Sequence, residues 1–240
     1  MDLRETRLPR YAEIAESLRG QIENGELNPG DRLPSERELS RALGVTRPTL
    51  RQALLDLELE GLLRRRPGAG TFVAEPKIER LTGRLSPFTR GMEQKGLEPG
   101  ARVLLVETRP ASKSIAARLQ LTVSAPLFYC HRLRLIGGEP MMLEKFYLPA
   151  QLVPAFDTLD LSGSIYQALE QQYGVVVQRA QQSLEAVAAS KQEAQLLCVA
   201  PGDPLLMERR IAFDPAGHPV EYAKDLYRGD RFRFLSDVER

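Results

Sequence analysis

The stretch SERELSRALGVTRPTLRQAL, residues 35–54, constrains the fold of this chain more than any other segment. Ser35 and Glu38 follow Pro34 at the spacing of a capping box, in which each side chain satisfies the other's backbone donor. The spacing predicts a short helix to about Leu43, with Leu39, Ala42 and Leu43 facing inward. Gly44-Val45 makes a turn. Thr46 is an N-cap for the next helix, and Pro48 sits in its first turn, where no backbone donor is lost. Leu50, Leu54 and Leu57 form its buried stripe, and Gly61 closes it. Upstream, Ile14, Leu18 and Ile22 recur at helical spacing beside Tyr11 and Ala15, and Asn24-Gly25 and Pro29-Gly30 end that helix. Downstream, LLRRRPGAGTFVAE reads as two short strands around Pro67-Gly68-Ala69-Gly70. Three helices followed by a β-hairpin make a winged helix-turn-helix.

In such a module the second helix of the pair enters the major groove, and its first residues meet base edges. Those residues are Thr46, Arg47, Thr49 and Arg51. Arg47 and Arg51 stand four apart, on a different face from Leu50 and Leu54. Arg37, on the preceding helix, points toward the same duplex. Arg64, Arg65 and Arg66 flank the hairpin, where Gly68 and Gly70 allow close backbone approach to phosphate or minor groove. Every basic residue before Lys77 is arginine, whose donor fork suits guanine and phosphate. A genome rich in G+C would enrich arginine as well, and a lone helical arginine is usually only solvated. The ordered set of cap, turn, arginine pair and Gly-rich basic hairpin is what points to DNA. Asp56, Glu58 and Glu60 lie further along the recognition helix and are expected to point away from the duplex.

Composition bounds the remaining choices. A chain of 240 residues accommodates two modest domains. No apolar run approaches the ~18 residues of a membrane span, and MDLRETRLPR has no signal-peptide core. Two cysteines, Cys130 and Cys198, make neither a disulfide scaffold nor a zinc site, and only His131 and His218 are available for histidine chemistry. A reduced, cytoplasmic protein without metal or cofactor is expected. The net charge of +1 argues against indiscriminate coating of nucleic acid, yet allows a specific binder with one basic face.

The organisation follows: a DNA-binding domain over 1–74, a polar linker over 75–84, and a second domain over 85–240. In the last, long strand-like runs alternate with helical stretches at 88–95, 112–119, 164–173 and 190–197, an α+β pattern. Strand alternation in FYCHRLRLIGGEPMMLEKFYLP puts Arg132 and Arg134 on one face, and His131, Leu133 and Leu135 on the other. Two such arginines repel unless an anion, a carboxylate or solvent lies between them. Glu144 is the nearby carboxylate, and register decides whether it serves. A two-residue Gly137-Gly138 loop pairs Arg132 with Leu143, whereas a three-residue loop including Glu139 pairs it with Glu144; Gly-Gly permits both. Ser164 starts a helix with Tyr166 just inside it, and SPFTRGM offers a second helix start around Thr89. Free backbone donors at helix starts suit anions, although most such Ser and Thr residues are plain caps.

The segment GDRLPSERELSRALGVTRPTLRQALLDLELEGLLRRRPGAGTFV resembles the DNA-binding domain of the GntR family of bacterial transcription regulators over essentially its whole length. The resemblance implies a dimer on a palindromic operator, with Arg37 and Arg47 as leading base readers and Gly68 and Gly70 at the wing tip. Thr49 and Arg51 then support contacts around them, and Arg66 belongs to the basic wing. RLRL, GEPMMLEKFYLP, SIYQALEQQYG and EYAKDLYRGDRFRF are similar to the effector domain of the HutC-type branch, with its chorismate-lyase-like (UTRA) antiparallel-sheet fold. That similarity implies that Thr89, Arg132, Arg134, Ser164 and Tyr166 hold an anionic group, and that Glu144 and Tyr227 contact the rest of the ligand. It favours an amino-sugar phosphate, with urocanate-like small acids also in the branch, and it favours the three-residue hairpin. The expected function is a ligand-responsive repressor released by that metabolite. Two alternatives are a DNA-binding architectural protein whose second domain only dimerises, with Arg132 and Arg134 solvated, and a chorismate-lyase-like enzyme.

Overall fold

Local capping chemistry sets the helix starts in the computed structural model, which describes residues 8–66, 68–83 and 85–238. Pro67 of the expected hairpin turn and Arg84 at the end of the expected linker lie outside the described residues. The chain divides into two compact units, Met1–Lys77 and Ile78–Arg240.

The first unit contains α1 (Arg10–Glu23), α2 (Glu36–Ala42), α3 (Arg47–Leu59), β1 (Leu63–Arg66) and β2 (Gly70–Val73). Ser35 and Glu38 make the capping box on α2, and Thr46 Oγ1 accepts from the Thr49 amide on α3. Ile14, Ala15 and Leu18 of α1 pack against Leu50, Ala53, Leu54 and Leu57 of α3, with Leu63 and Val73 of the hairpin closing the core. Tyr11, Ile22, Leu39 and Leu43 are half-buried around it. The inward expectation fails for Ala42, which is exposed, while Ser40 is buried in its place. The two lie about 200° apart around the helix, so a helix this short can turn only one of them down. The Ser40 hydroxyl donates to the Arg37 carbonyl, which makes its burial tolerable.

The second unit is a six-stranded antiparallel sheet, in the order β4 (Pro99–Pro110), β5 (Pro126–Ile136), β6 (Glu139–Pro149), β9 (Pro219–Arg228), β8 (Pro204–Phe213) and β7 (Arg179–Ala188). Helices α5 (Lys113–Leu119) and α7 (Lys191–Leu197) pack on one face, against Leu127 and Tyr222 and against Leu133, Leu143 and Leu226 respectively. On the opposite face α4 (Phe88–Glu93) meets Met142 and Tyr227, and α6 (Ile165–Tyr173) meets Cys130, Phe146 and Ala223. Ser112, Ser164 and Ser190 cap α5, α6 and α7, as their positions in the sequence predict.

Two expectations are corrected. The segment read as a linker contains a strand, β3 (Ile78–Leu81), paired in parallel with β10 (Phe232–Leu235) from the far end of the chain. Four residues carry too little periodicity to announce a strand that pairs with one some 150 positions away. The β5–β6 turn is the two-residue one, with Ile136 opposite Glu139 and positive φ at both Gly137 and Gly138, and not the three-residue one. Arg132 nevertheless faces Glu144, because a β-bulge between Arg134 and Leu135 leaves Met141 as the extra residue. The bulge lets the consecutive Met141 and Met142 enter the same apolar cluster. It is pinned by the buried Arg228, which donates to the Pro140 carbonyl at 2.9 Å and to Glu139 at 2.8 Å.

Candidate nucleic-acid interface and ligand cavity

At the start of α3, Thr46 and Arg47 are exposed and Thr49 is half-buried, its hydroxyl 2.8 Å from that of Thr46. Arg37 and Arg47 are exposed and carry no ion pair among the described residues. Arg51 is already engaged: its Nε donates to Glu36 at 2.7 Å. Arg65 of the wing reaches the other oxygen of Glu36 at 3.3 Å and lies 3.3 Å from Glu58. The Glu36 carboxylate therefore ties the recognition helix to the wing, a role that reading α2 by itself does not reveal. Glu60 accepts from Arg19 at 2.7 Å and Asp56 from Gln52 at 2.9 Å, so the acidic end of α3 is engaged within the unit. Arg66 lies over the Phe72 ring at 4.9 Å. Gly68 and Gly70 have φ of +74° and +117°, and a Cβ on Gly70 would come within 3.0 Å of Arg32 Nε. The wing tip therefore requires glycine for its backbone, and Gly70 also leaves room for the Arg32 side chain.

The second unit holds a polar cavity, partly open to solvent, whose present space of about 40 Å³ takes only a few waters, so a larger ligand requires its walls to part. Thr89, Arg132, Arg134, Glu144, Ser164, Tyr166 and Tyr227, singled out from the sequence, all line it. Arg132 and Arg134 are 0% and 2% exposed, which removes the solvated arginines required by the dimerisation-only alternative. Their environments differ. Arg132 donates through Nε to Glu144 at 2.7 Å and through Nη1 to the Leu161 and Gly163 carbonyls at 2.6 and 2.9 Å. A second bond runs from its Nη2 to Glu144. Its Nη1 donors thus fasten the loop that leads into α6, while Nε and Nη2 hold Glu144. Arg134 donates to the Gly100 carbonyl at 3.2 Å and to Thr89 Oγ1 at 2.9 Å, lies over the Phe88 ring at 4.5 Å, and stands 3.6 Å from the same Glu144. Burial by itself would raise the Glu144 carboxyl, but Arg132 and Arg134 outweigh it and hold the pKa below the ordinary carboxylate value. Two guanidinium groups share one carboxylate, so this end of the cavity keeps an uncompensated positive charge.

The opposite end carries residues that the sequence reading left out. Arg210 is buried among three carboxylates: Glu208 at 3.4 Å, Glu221 at 3.4 Å and Asp225 at 3.3 Å. Tyr166 donates to Glu221 at 2.6 Å and Tyr227 to Glu208 at 2.9 Å. A signal for them was present. Glu221, Asp225 and Tyr227 share the two-residue alternation of β9, and Glu208 and Arg210 that of β8. Arg80 of β3 also lines the cavity, 5.5 Å from the Tyr227 ring.

Comparison with known proteins agrees with these two units. Residues 10–73 match the model for bacterial regulatory proteins of the gntR family, and residues 94–233 match the UTRA domain. The HTH-type transcriptional repressor NagR of Bacillus subtilis is 37% identical over 97% of this chain and 96% of its own. The mannosyl-D-glycerate transport/metabolism system repressor MngR of Escherichia coli is 29% identical, over 97% of each chain. Among solved structures, PhnF from Mycobacterium smegmatis matches with a TM-score of 0.66 and 31% identity, over 96% of this chain and 99% of its own. With a DNA-reading unit followed by a UTRA fold, and with relatives of this identity along nearly its full length, the chain belongs to the GntR family of DNA-binding transcription regulators, in its HutC-type branch.

Proposed function

We propose that this protein is a cytoplasmic repressor, without catalytic activity, that binds a palindromic operator as a dimer and leaves it when a small anionic metabolite fills the cavity. An amino-sugar phosphate is the preferred effector. The observation that carries this reading is the shared carboxylate: among the described residues Arg132 and Arg134 have only Glu144 between them, beside Thr89 and the start of α6. An anion placed there gains charge-assisted hydrogen bonds in a site shielded from water. The repressor names of NagR and MngR support the sign of the response. A gel shift on the promoter region of the adjacent operon tests the reading. Glucosamine 6-phosphate is expected to release the protein, and operator binding that no sugar phosphate or small organic acid alters would count against it.

On the DNA side, Arg37 and Arg47 are the free base-reading arginines of the proposal. Arg47→Ala is expected to weaken operator binding by about 10- to 100-fold while leaving binding to unrelated DNA nearly unchanged. Fluorescence anisotropy at fixed salt makes the comparison.

Support for a dimer comes from the sheet edges. Strand β7 is exposed along most of its length, and Leu184 on it and Val103 and Leu105 on β4 are exposed apolar residues on the two edge strands. Unpaired apolar edges favour association with a second copy. Sedimentation velocity is expected to show a dimer for the native chain and a shift toward monomer for Leu184→Lys. A native chain that sediments as a monomer at micromolar concentration would remove this element of the proposal.

A further inference from the structure

The cavity has a second pole whose charge is out of balance. Across the sheet, Arg132, Glu144, Asp225 and Glu208 stand in one register row on β5, β6, β9 and β8. Like charges directly opposite each other on neighbouring strands are unfavourable. Glu144 is neutralised by its two arginines. Asp225 and Glu208 face each other and, together with Glu221, share the single guanidinium of Arg210. Three carboxyl groups against one arginine would leave a buried excess of negative charge if all three ionised, so the least compensated of them holds a proton until a cation arrives.

The excess gathers at one atom. Glu208 accepts from Tyr227 and Glu221 accepts from Tyr166, in addition to their contacts with Arg210. Asp225 is 1% exposed and has Arg210 near Oδ2, while its buried Oδ1 has no hydrogen-bond partner among the described residues. A buried carboxylate oxygen without a donor is costly, and in a cavity wall it is an acceptor waiting for a ligand. Among the described residues no group of three or more His, Cys, Asp or Glu side chains is placed to hold a metal ion, which favours an organic ammonium over a divalent cation.

We propose that Asp225, with Glu208 and Glu221, selects effectors bearing a free, protonated amino group, so that the cavity takes a zwitterion with its anion toward Arg134 and its ammonium toward Asp225. This rests on the cavity being the effector site. The two poles lie two strand spacings apart, about 10 Å at the backbone, and their side chains converge on one small space. The corresponding hydroxyl compound lacks the charge, and the N-acetyl compound lacks the charge and adds bulk.

The same geometry predicts a proton signature. In the free protein, burial pushes the Asp225 carboxyl well above its ordinary range, against the pull of Arg210, and Glu144, Glu208 and Glu221 add to the rise. Arg132 and Arg134 on β5, Glu144 on β6, Glu208 and Arg210 on β8, Glu221 and Tyr227 on β9, Tyr166 on α6 and Arg80 on β3 are the charged and titratable groups that line the cavity with it. An arriving ammonium keeps its own protons and favours the ionised acid, so the Asp225 O–H proton goes to solvent. Binding of the amine therefore strengthens as pH rises toward neutrality.

Titration calorimetry on the full chain with glucosamine 6-phosphate, glucose 6-phosphate and N-acetylglucosamine 6-phosphate, in two buffers of different ionisation heat, tests the proposal. The native protein is expected to prefer the free amine by about 10- to 100-fold over either analogue, with a proton released beyond the glucose 6-phosphate baseline. Asp225→Asn, which keeps the shape, is expected to bring all three ligands within about threefold and to abolish the extra proton release. Glu208→Gln is expected to lower the preference by a smaller factor, and it carries the test if the Asn variant does not fold. Equal binding of the three sugars by the native chain, or a preference that survives both variants, overturns the inference while leaving the anion site standing. Failure of every sugar phosphate to bind overturns the effector reading and the inference together.

Discussion

Replacing Arg132 with Met is expected to cost the second unit about 3–5 kcal/mol of stability, because it strands a buried carboxylate. Arg132 is fully buried, and among the described residues it alone supplies short hydrogen bonds to Glu144, with Arg134 standing off at 3.6 Å. It also holds the Leu161 and Gly163 carbonyls at the entrance to α6, so the loop should loosen with it. Urea unfolding followed by circular dichroism measures the loss. The pair Arg132→Met with Glu144→Leu is expected to recover much of it, since removing both partners leaves no unpaired charge. Two titrations of opposite sign accompany this cluster. Glu144 has a lowered folded pKa, so its contribution is complete at neutral pH and fades as pH falls from its ordinary value of 4.5 through the lowered one. Asp225 has a raised folded pKa, so its neutral burial is tolerated at low pH, and stability is lost as pH rises through the raised value. Asp225→Asn should remove only the second dependence.

Replacing Arg134 with Met is expected to leave operator binding unchanged and to weaken effector binding by about 100-fold or more, the usual consequence of removing one partner of a buried charged contact. Arg134 differs from Arg132 in what holds it. A threonine hydroxyl, a carbonyl and an aromatic ring keep it in place, while its share of Glu144 is the weaker one. Met preserves the contact with Phe88, and Arg132 still neutralises Glu144, so the fold should persist. Operator release measured against effector concentration would show the response displaced beyond reach for the variant. A variant that responds normally would place the anion elsewhere in the cavity.

How much of this was legible beforehand depends on the range of the interactions. Ser35, Thr46, Ser112, Ser164 and Ser190 all cap the helices their positions predict, because a cap bonds an amide three residues away. The arginines that open α3 and the glycines of the wing also belong to local patterns. The seven residues expected around an effector do gather in one cavity, yet the sequence could not separate Arg132, tied to carbonyls 29 and 31 positions away, from Arg134.

Short stretches of the chain set the elements: where helices begin, which strand faces alternate, and that a DNA-reading module precedes an α+β domain. Which residues meet as partners follows from how the strands assemble. The register that brings Arg132 to Glu144 depends on a bulge held by Arg228, 88 positions from the carbonyl it grips. Asp225 becomes an acid in search of a cation only when β8 and β9 lay Glu208, Arg210 and Glu221 around it. Capping and alternation are energies of neighbouring residues and are written in short stretches. The charge balance of a buried site is a sum over strands that meet only after the sheet has formed.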